Sequence, residues 1–274
     1  MNNNLIEKHA KSFYWASFFL SKEIFNKCSS LYNFCRTLDD LVDNDNKLDI
    51  KKEKFLKFKK DFTSKNFSNP IIKEMWSIIK SENISQNVVI DLFDGVETDL
   101  EEKVHIKSKK DLLVYSYRVA GSVGLMMSKI LKVKNKEAHR GAIDLGIAMQ
   151  LTNIARDVNE DKKRERKYIN QDFSSIQKTI KESEIFYQKS FNSISSIPLR
   201  SRFSVIVARR VYKKIGDYIL KTRNIENYNK AGKVYVPIFG KIIETFLSIY
   251  DFIRLLFIKE INYDNYINHN ILEE

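Results

Sequence analysis

The 274-residue sequence contains only 8 glycines and 3 prolines. So few turn-forming residues exclude the many tight reversals of an all-β or alternating α/β chain. Cysteine is scarcer still. Cys28 and Cys35 stand seven apart without C-x-x-C spacing, and they read as buried, reduced thiols of a cytoplasmic protein rather than a disulfide framework. The four histidines (His9, His105, His139 and His269) are scattered and make no zinc cluster. No G-x-x-x-x-G-K-[ST] loop supports an NTPase, and no G-x-G-x-x-G supports a dinucleotide fold. The opening "MNNNLIEKHAKSFYWASFFL" lacks the basic segment, unbroken apolar stretch and small-residue cleavage site of a signal peptide. The most apolar stretch, 246–258, is interrupted by Asp251 and Arg254 and is shorter than the ~18 residues of a spanning helix.

Charge and apolar periodicity are plentiful. Forty-seven basic against 35 acidic residues give a net charge of +12, which suits an anionic partner: nucleic acid, anionic lipid or a phosphorylated substrate. No nucleic-acid motif accompanies it, and the densest basic run, Lys51 to Lys60, reads as a solvated helix face. Three-to-four spacing predicts helices over 22–43, 50–63, 70–80, 86–102, 110–131, 136–160, 173–191, 198–222 and 235–267. Turn chemistry separates several of them: "DNDNK" at 43, "SKNFSNP" at 64, "NSISSIP" at 192 and "NYNKAGK" at 227. No break is long enough for a linker and no repeat is present, so the expectation is an all-α fold in one domain over 1–274.

Two of these helices carry aspartates in register. At ~100° per residue, Tyr32, Arg36, Asp39 and Asp43 fall within an arc of roughly 60°. Gly146, Gln150, Asn153, Asp157 and Asp161 share a second stripe in "GAIDLGIAMQLTNIARDVNEDKKRERKYIN". A solvated face accounts for the first stripe alone, and bonds to neighbouring helices account for the amides of the second. Together, two Asp-x-x-x-Asp rows suggest hard oxygen ligands for Mg²⁺, whose remaining positions are filled by water and substrate phosphates. Arg36 and Arg156 flank the rows, and Arg164 and Arg166 follow in a polar segment placed to close over the site. Between the rows, "YSYRVAGSVGLMMSKIL" sets Gly121 and Gly124 in a helix at ~1 kcal/mol each against Ala. Close helix packing explains them, and so does an apolar tunnel beside Tyr117, Met126 and Met127.

"YNFCRTLDDLVD", "YRVAGSVGLMM" and "LGIAMQLTNIARDVNEDKKRERKYI" resemble the squalene/phytoene synthase family in order and separation, with "KSFYWAS" and "ARRVYKKIG" extending the likeness over most of the chain. The third motif reads most like the bacterial phytoene-synthase branch. The resemblance implies an isoprenoid-synthase helical bundle around a central cavity. It implies Mg²⁺ or Mn²⁺ held by Asp39, Asp43, Asn153, Asp157 and Asp161, with Asp39, Asp43, Asp157, Asp161 and Tyr117 serving catalysis. His9, Lys11, Ser12, Tyr32, Arg36, Gln150, Arg156, Arg166, Tyr168, Tyr212 and Lys233 would bind prenyl diphosphate substrates. Lys233 stands where the pattern has arginine, and Asn170 follows Tyr168-Ile169 where proline is usual. The implied reaction is head-to-head condensation of two geranylgeranyl diphosphates to phytoene without NADPH, the committed step of carotenoid biosynthesis. C15-using squalene, dehydrosqualene or hydroxysqualene synthases share the same likeness, as does a non-catalytic assembly factor stripped of its metal ligands. A lipid-soluble product and the net charge lead to an expectation of peripheral association at the inner face of the cytoplasmic membrane, with no nucleic-acid partner. The stripe Phe246, Ile249, Tyr250, Ile253 and Phe257 fits either that role or core packing. Oligomeric state is not readable from the sequence.

Overall fold

The computed structural model describes residues 10–258. Its helices, in order, are α1 (Lys11–Ser17), α2 (Lys22–Asp43), α3 (Leu48–Thr63), α4 (Pro70–Ser81), α5 (Gln86–Glu97), α6 (Lys109–Ser116), α7 (Ser122–Ile130), α8 (Lys136–Lys163), α9 (Phe173–Phe191), α10 (Leu199–Leu220), α11 (Ile225–Ala231) and α12 (Ile238–Leu256). Side-chain caps begin many of them. Ser21, Asn69, Ser85, Ser108, Asn135, Asp172 and Asn224 each accept from a backbone N–H of the first turn, and Pro70 follows Asn69 where its missing donor costs nothing.

Several boundaries differ from the periodicity. The helix expected over 110–131 contains a π-helical turn, Tyr117–Gly121, between α6 and α7. The "NYNKAGK" break is itself mostly helix α11, and the chain reverses one residue later at Gly232, whose φ of +62° favours glycine. Strand pairing among the described residues is limited to β1 (Val104–His105) and β2 (Arg166–Lys167), a two-residue parallel ladder.

Two large hydrophobic clusters dominate the packing of the described residues. In the first, Phe34 of α2 packs against Phe58 and Phe62 of α3 and Phe93 of α5 at ring distances of 5.5–5.8 Å. In the second, Ala155 and Val158 of α8 meet Ile176 and Ile180 of α9 and Val207, Val211 and Ile215 of α10. Helix α8 is the hub, touching α6, α7, α9 and α10. That central place explains its weak amphipathic pattern, since a helix covered on most sides has little solvent face.

The stripe Phe246, Ile249, Tyr250, Ile253 and Phe257 does not pack in the core. All five are exposed, and α12 turns Lys241, Glu244, Ser248 and Asp251 inward instead. No described helix is long and apolar enough to cross a membrane. Cys28 is buried and Cys35 half-buried, both as free thiols; burial pushes Cys28 up to about 12 and Cys35 higher still.

Candidate active site

Both aspartate rows lie at helix C-termini. Asp39 and Asp43 end α2, and Asp157 and Asp161 fall in the last two turns of α8. The helix dipole disfavours negative charge there, so the rows are placed against local stability. Crowding adds to this. Asp39 is exposed on the surface of α2, yet neighbouring protein crowds its carboxylate and weakens its solvation. That desolvation, then the charge of Asp43, raises its pKa to about 7 against the opposing pull of Arg36. Asp161, half-buried, is also raised to about 7, by burial and then by Asp157, with Arg166 opposing.

The other two carboxylates are held by cations. Asp43 accepts from Arg164 at 2.9 Å and Arg166 at 2.8 Å, which joins the end of α2 to the segment after α8. Asp157 takes both arms of Arg156, at 2.8 and 2.6 Å, and lies 3.3 Å from Lys233, which also reaches Glu160 at 2.6 Å. Consequently no three acidic, histidine or cysteine side chains among the described residues converge as a ready metal cluster. The donor set nevertheless suits a hard divalent cation. It offers two crowded carboxylates, two more exchangeable from basic partners, and the Asn153 Oδ1, which is buried with no hydrogen-bond partner.

Arg164 and Arg166, expected to close over the rows, both reach Asp43, and neither Arg166 nor the nearby Tyr168 faces open space. Arg166 is buried between Asp43 and Asp99, and Tyr168 is buried with its hydroxyl donating to Asp99 at 2.5 Å. Tyr115 stacks on the Tyr168 ring at 4.8 Å and donates to the same carboxylate at 3.0 Å. The resemblance implies a substrate contact for Tyr168; in the structure its hydroxyl is held within this buried network. Asp99 carries no signal in the sequence, where "VETDLEEK" gives it no spacing to either row. It positions Arg166 and thereby Asp43. Asp99→Ala is expected to cost about 2–3 kcal/mol in urea unfolding, because it strands a guanidinium and two hydroxyls; Asp99→Asn, which still accepts from the tyrosines, should cost about 1 kcal/mol.

From the rows an apolar cavity of about 320 Å³ runs into the bundle. Tyr32, Gln150, Asn153 and Tyr212 line its polar end; Leu131, Ala138, Ile194 and Ile197 line the far end. Asn153 to Ala138 along α8 corresponds to about 22 Å at 1.5 Å per residue. Burial pushes the Tyr32 phenol up to about 12, which keeps it a neutral donor, and Tyr212 packs on Phe13 at 4.9 Å. Asn153 donates to Gln150 at 3.4 Å, so the amide pair is only partly satisfied within itself. Arg36 holds Asp40 at 2.5 Å, leaving its buried Nε without a partner.

Tyr117 does not line this cavity; its hydroxyl donates to Asp91 of α5 at 2.8 Å. Lys11 and Ser12 begin α1, whose Phe13, Ala16 and Ser17 form part of the wall. His9 lies outside the described residues. Two further residues join the site unannounced by sequence: Glu160, which holds Lys233, and Tyr235, whose ring lies 5.9 Å from the Arg156 guanidinium.

The sequence model of squalene/phytoene synthases matches residues 6–185. The chain is 28% identical over 257 residues to the 15-cis-phytoene synthase of Pantoea ananas, covering 79% of this chain and 83% of that one. It is 27% identical over 262 residues to the chloroplastic phytoene synthase 1 of Zea mays, covering 84% of this chain and 63% of that one. A solved dehydrosqualene synthase in complex with ligand superposes with a TM-score of 0.72 at 26% identity, over 90% of this chain and 93% of that one. A squalene synthase from Alicyclobacillus acidocaldarius shares the fold, with a TM-score of 0.65 at 19% identity, over 82% of this chain and 92% of that one.

Proposed function

Because the chain belongs to the squalene/phytoene synthase family and has its all-α isoprenoid-synthase bundle, we propose that it joins two geranylgeranyl diphosphates head to head into phytoene. The observation carrying this reading is the apolar cavity that leads about 22 Å inward from the paired carboxylate rows, long and dry enough for extended prenyl chains. One domain performs the whole reaction, at a lipid surface on the cytoplasmic side of the membrane.

In the first half-reaction the C1–O bond of one substrate breaks, diphosphate departs, and an allylic cation remains. The double bond of the second substrate attacks C1, and loss of a proton closes a cyclopropane, giving prephytoene diphosphate. In the second half-reaction that diphosphate leaves, the ring rearranges, and loss of another proton gives the hydrocarbon. Two protons and two diphosphates are released in all, so electrons balance without NADPH; a squalene-type product would need a hydride.

Mg²⁺ or Mn²⁺ bound through Asp39, Asp43, Asn153, Asp157 and Asp161 would supply positive charge to the leaving diphosphates. The chain's own groups do the rest. The unpartnered Nε of Arg36 and the guanidinium of Arg156 meet diphosphate oxygens at the mouth, aided by Lys233 and, from α1, Lys11 and Ser12. Arg166 works one step back, orienting Asp43. Tyr32 and Tyr212 present aromatic faces to the cation, and the apolar wall excludes water that would quench it. Gln150 and Asn153 fix the polar end.

A second reading, dehydrosqualene formation from two farnesyl diphosphates, is favoured by the 26% identical dehydrosqualene synthase structure. Purified enzyme with Mg²⁺ and each diphosphate, with and without NADPH, separates the two. Phytoene from the C20 substrate without NADPH is expected. A C30 product from the C15 substrate, with the C20 substrate unused, would select the second reading.

A further inference from the structure

Helix α12 is inside out. Its inward face holds an ion network in which Arg210 of α10 donates to Glu244 at 2.9 Å and to Asp251 at 2.7 Å, with Lys214 3.7 Å from Glu244. Both carboxylate residues are about 5% exposed. The outward face carries Phe239, Phe246, Tyr250, Ile253 and Phe257, exposed by 50–77%. In water this arrangement is unfavourable on both sides, since ions are desolvated while large apolar side chains stay wet. A helix that orders its faces this way has something other than water outside it.

The surface continues beyond the helix. Phe19 meets Phe203 edge-on at 4.9 Å, Phe203 meets Phe252 of α12 at 6.0 Å, and Trp15 donates to Thr245 of α12 at 3.0 Å. These contacts tie α12 to the Trp15–Leu20 stretch, the end of α1 and the turn that follows it. In that stretch Phe18 is 63% exposed, while Ala16, Ser17 and Leu20 line the cavity. One short piece of chain therefore separates the apolar cavity from the apolar surface.

Charge indicates what covers the face. Of the four charged residues in α12, Lys241, Glu244 and Asp251 are buried, and Arg254 alone faces out. With no exposed carboxylate on the helix and +12 on the chain, the fitting occupant is an anionic lipid surface. A helix too short and interrupted to span would lie in the plane of that surface, its apolar side sunk to the acyl boundary.

We propose that the outward face of α12, with Phe18 and Phe19, docks flat on anionic bilayers and sets the Ala16–Leu20 wall of the cavity against the lipid. Resting on the synthase reading above, this wall is where a long apolar product leaves for the membrane without crossing water.

The test is flotation of the full chain with phosphatidylcholine vesicles, alone or with phosphatidylglycerol. Wild type should float with the anionic vesicles, and salt should weaken but not abolish it. Phe246→Glu/Ile253→Glu should lower partitioning at least about 30-fold. Phe257→Glu, at the helix end, serves as a milder second variant, expected to lower it several-fold. Leu56→Glu, on the exposed side of α3, should float as wild type does. Both α12 variants should keep the wild-type thermal midpoint, and in detergent their turnover of prenyl diphosphate should be unchanged. Wild type that stays out of both vesicle types overturns the proposal. So does a wild-type dimer in sedimentation that the double variant converts to monomer, because a second copy would then cover the face. A wild type that floats yet turns over neither diphosphate supports docking and overturns the functional reading instead.

Discussion

Asp39→Asn and Asp157→Asn are each expected to lower turnover about 100- to 1,000-fold at saturating Mg²⁺, with the helical circular-dichroism spectrum unchanged. Each change keeps the side chain's size and removes one negative charge from a row proposed to hold a divalent cation. The two variants should part company in stability. Asp39 sits near the dipole-disfavoured C-terminus of α2, crowded by Asp43, so its asparagine should raise the metal-free thermal midpoint by about 2–4 °C. Asp157 is gripped bidentately by Arg156 and neighboured by Lys233, so its asparagine should not stabilise. Mg²⁺ should then raise the midpoint of wild type more than that of Asp39→Asn, by linkage to a weaker site in the variant. Turnover undiminished by EDTA, or above a tenth of wild type in either variant, would show that the rows do not serve a metal.

Helix α2 shows what a sequence discloses well. Its start is marked by Ser21, whose side chain accepts from Ile24, and its end by the "DNDNK" turn, so the expected 22–43 coincides with Lys22–Asp43. The shared stripe of Tyr32, Arg36, Asp39 and Asp43 follows from the helical period alone, as does that of Gln150, Asn153, Asp157 and Asp161. Partners do not follow from it. Asp99 joins Arg166 from 67 positions away, and Asp91 takes the Tyr117 hydroxyl from 26 positions away. Neither pairing has a local signature, because tertiary packing makes it. The resemblance placed Tyr117 in the chamber, yet its π-helical turn directs the hydroxyl to α5.

Helix α12 shows the complementary limit. Periodicity tells which residues share a face, but the inference that apolar faces turn inward assumes water outside. Here the two carboxylates and Lys241 had to be read as the packed side, which becomes visible only once Arg210 is seen between Glu244 and Asp251. The same applies to the small residues of "YRVAGSVGLMM" and "GAIDLG". Cavity wall and close helix packing meet at the same positions. Ala120, Gly124, Ala142 and Gly146 line the cavity, and they meet in pairs at the backbone, Gly124 on Ala142 and Gly146 on Ala120.

Gly146→Ala is therefore expected to destabilise by about 2–4 kcal/mol, although helix propensity alone would favour alanine by up to ~1 kcal/mol. A Cβ built at Gly146 would stand 2.2 Å from the carbonyl oxygen of Ala120 and 2.7 Å from its carbon; one at Gly124 would stand 2.2 Å from the oxygen of Ala142. These are backbone atoms of facing helices, so no rotamer change relieves the overlap and the two helices must separate. Gly216→Ala is the control. Its Cβ would meet only the Ile180 side chain, at 3.2 and 3.4 Å, and that chain can yield, so the change should fall within about 0.5 kcal/mol of neutral. Because one separation relieves both crossings, Gly124→Ala/Gly146→Ala should cost less than the sum of the singles. Urea unfolding of the four variants measures all of this. A Gly146→Ala protein as stable as wild type would mean that the crossing opens freely, and the glycines would then serve the cavity alone.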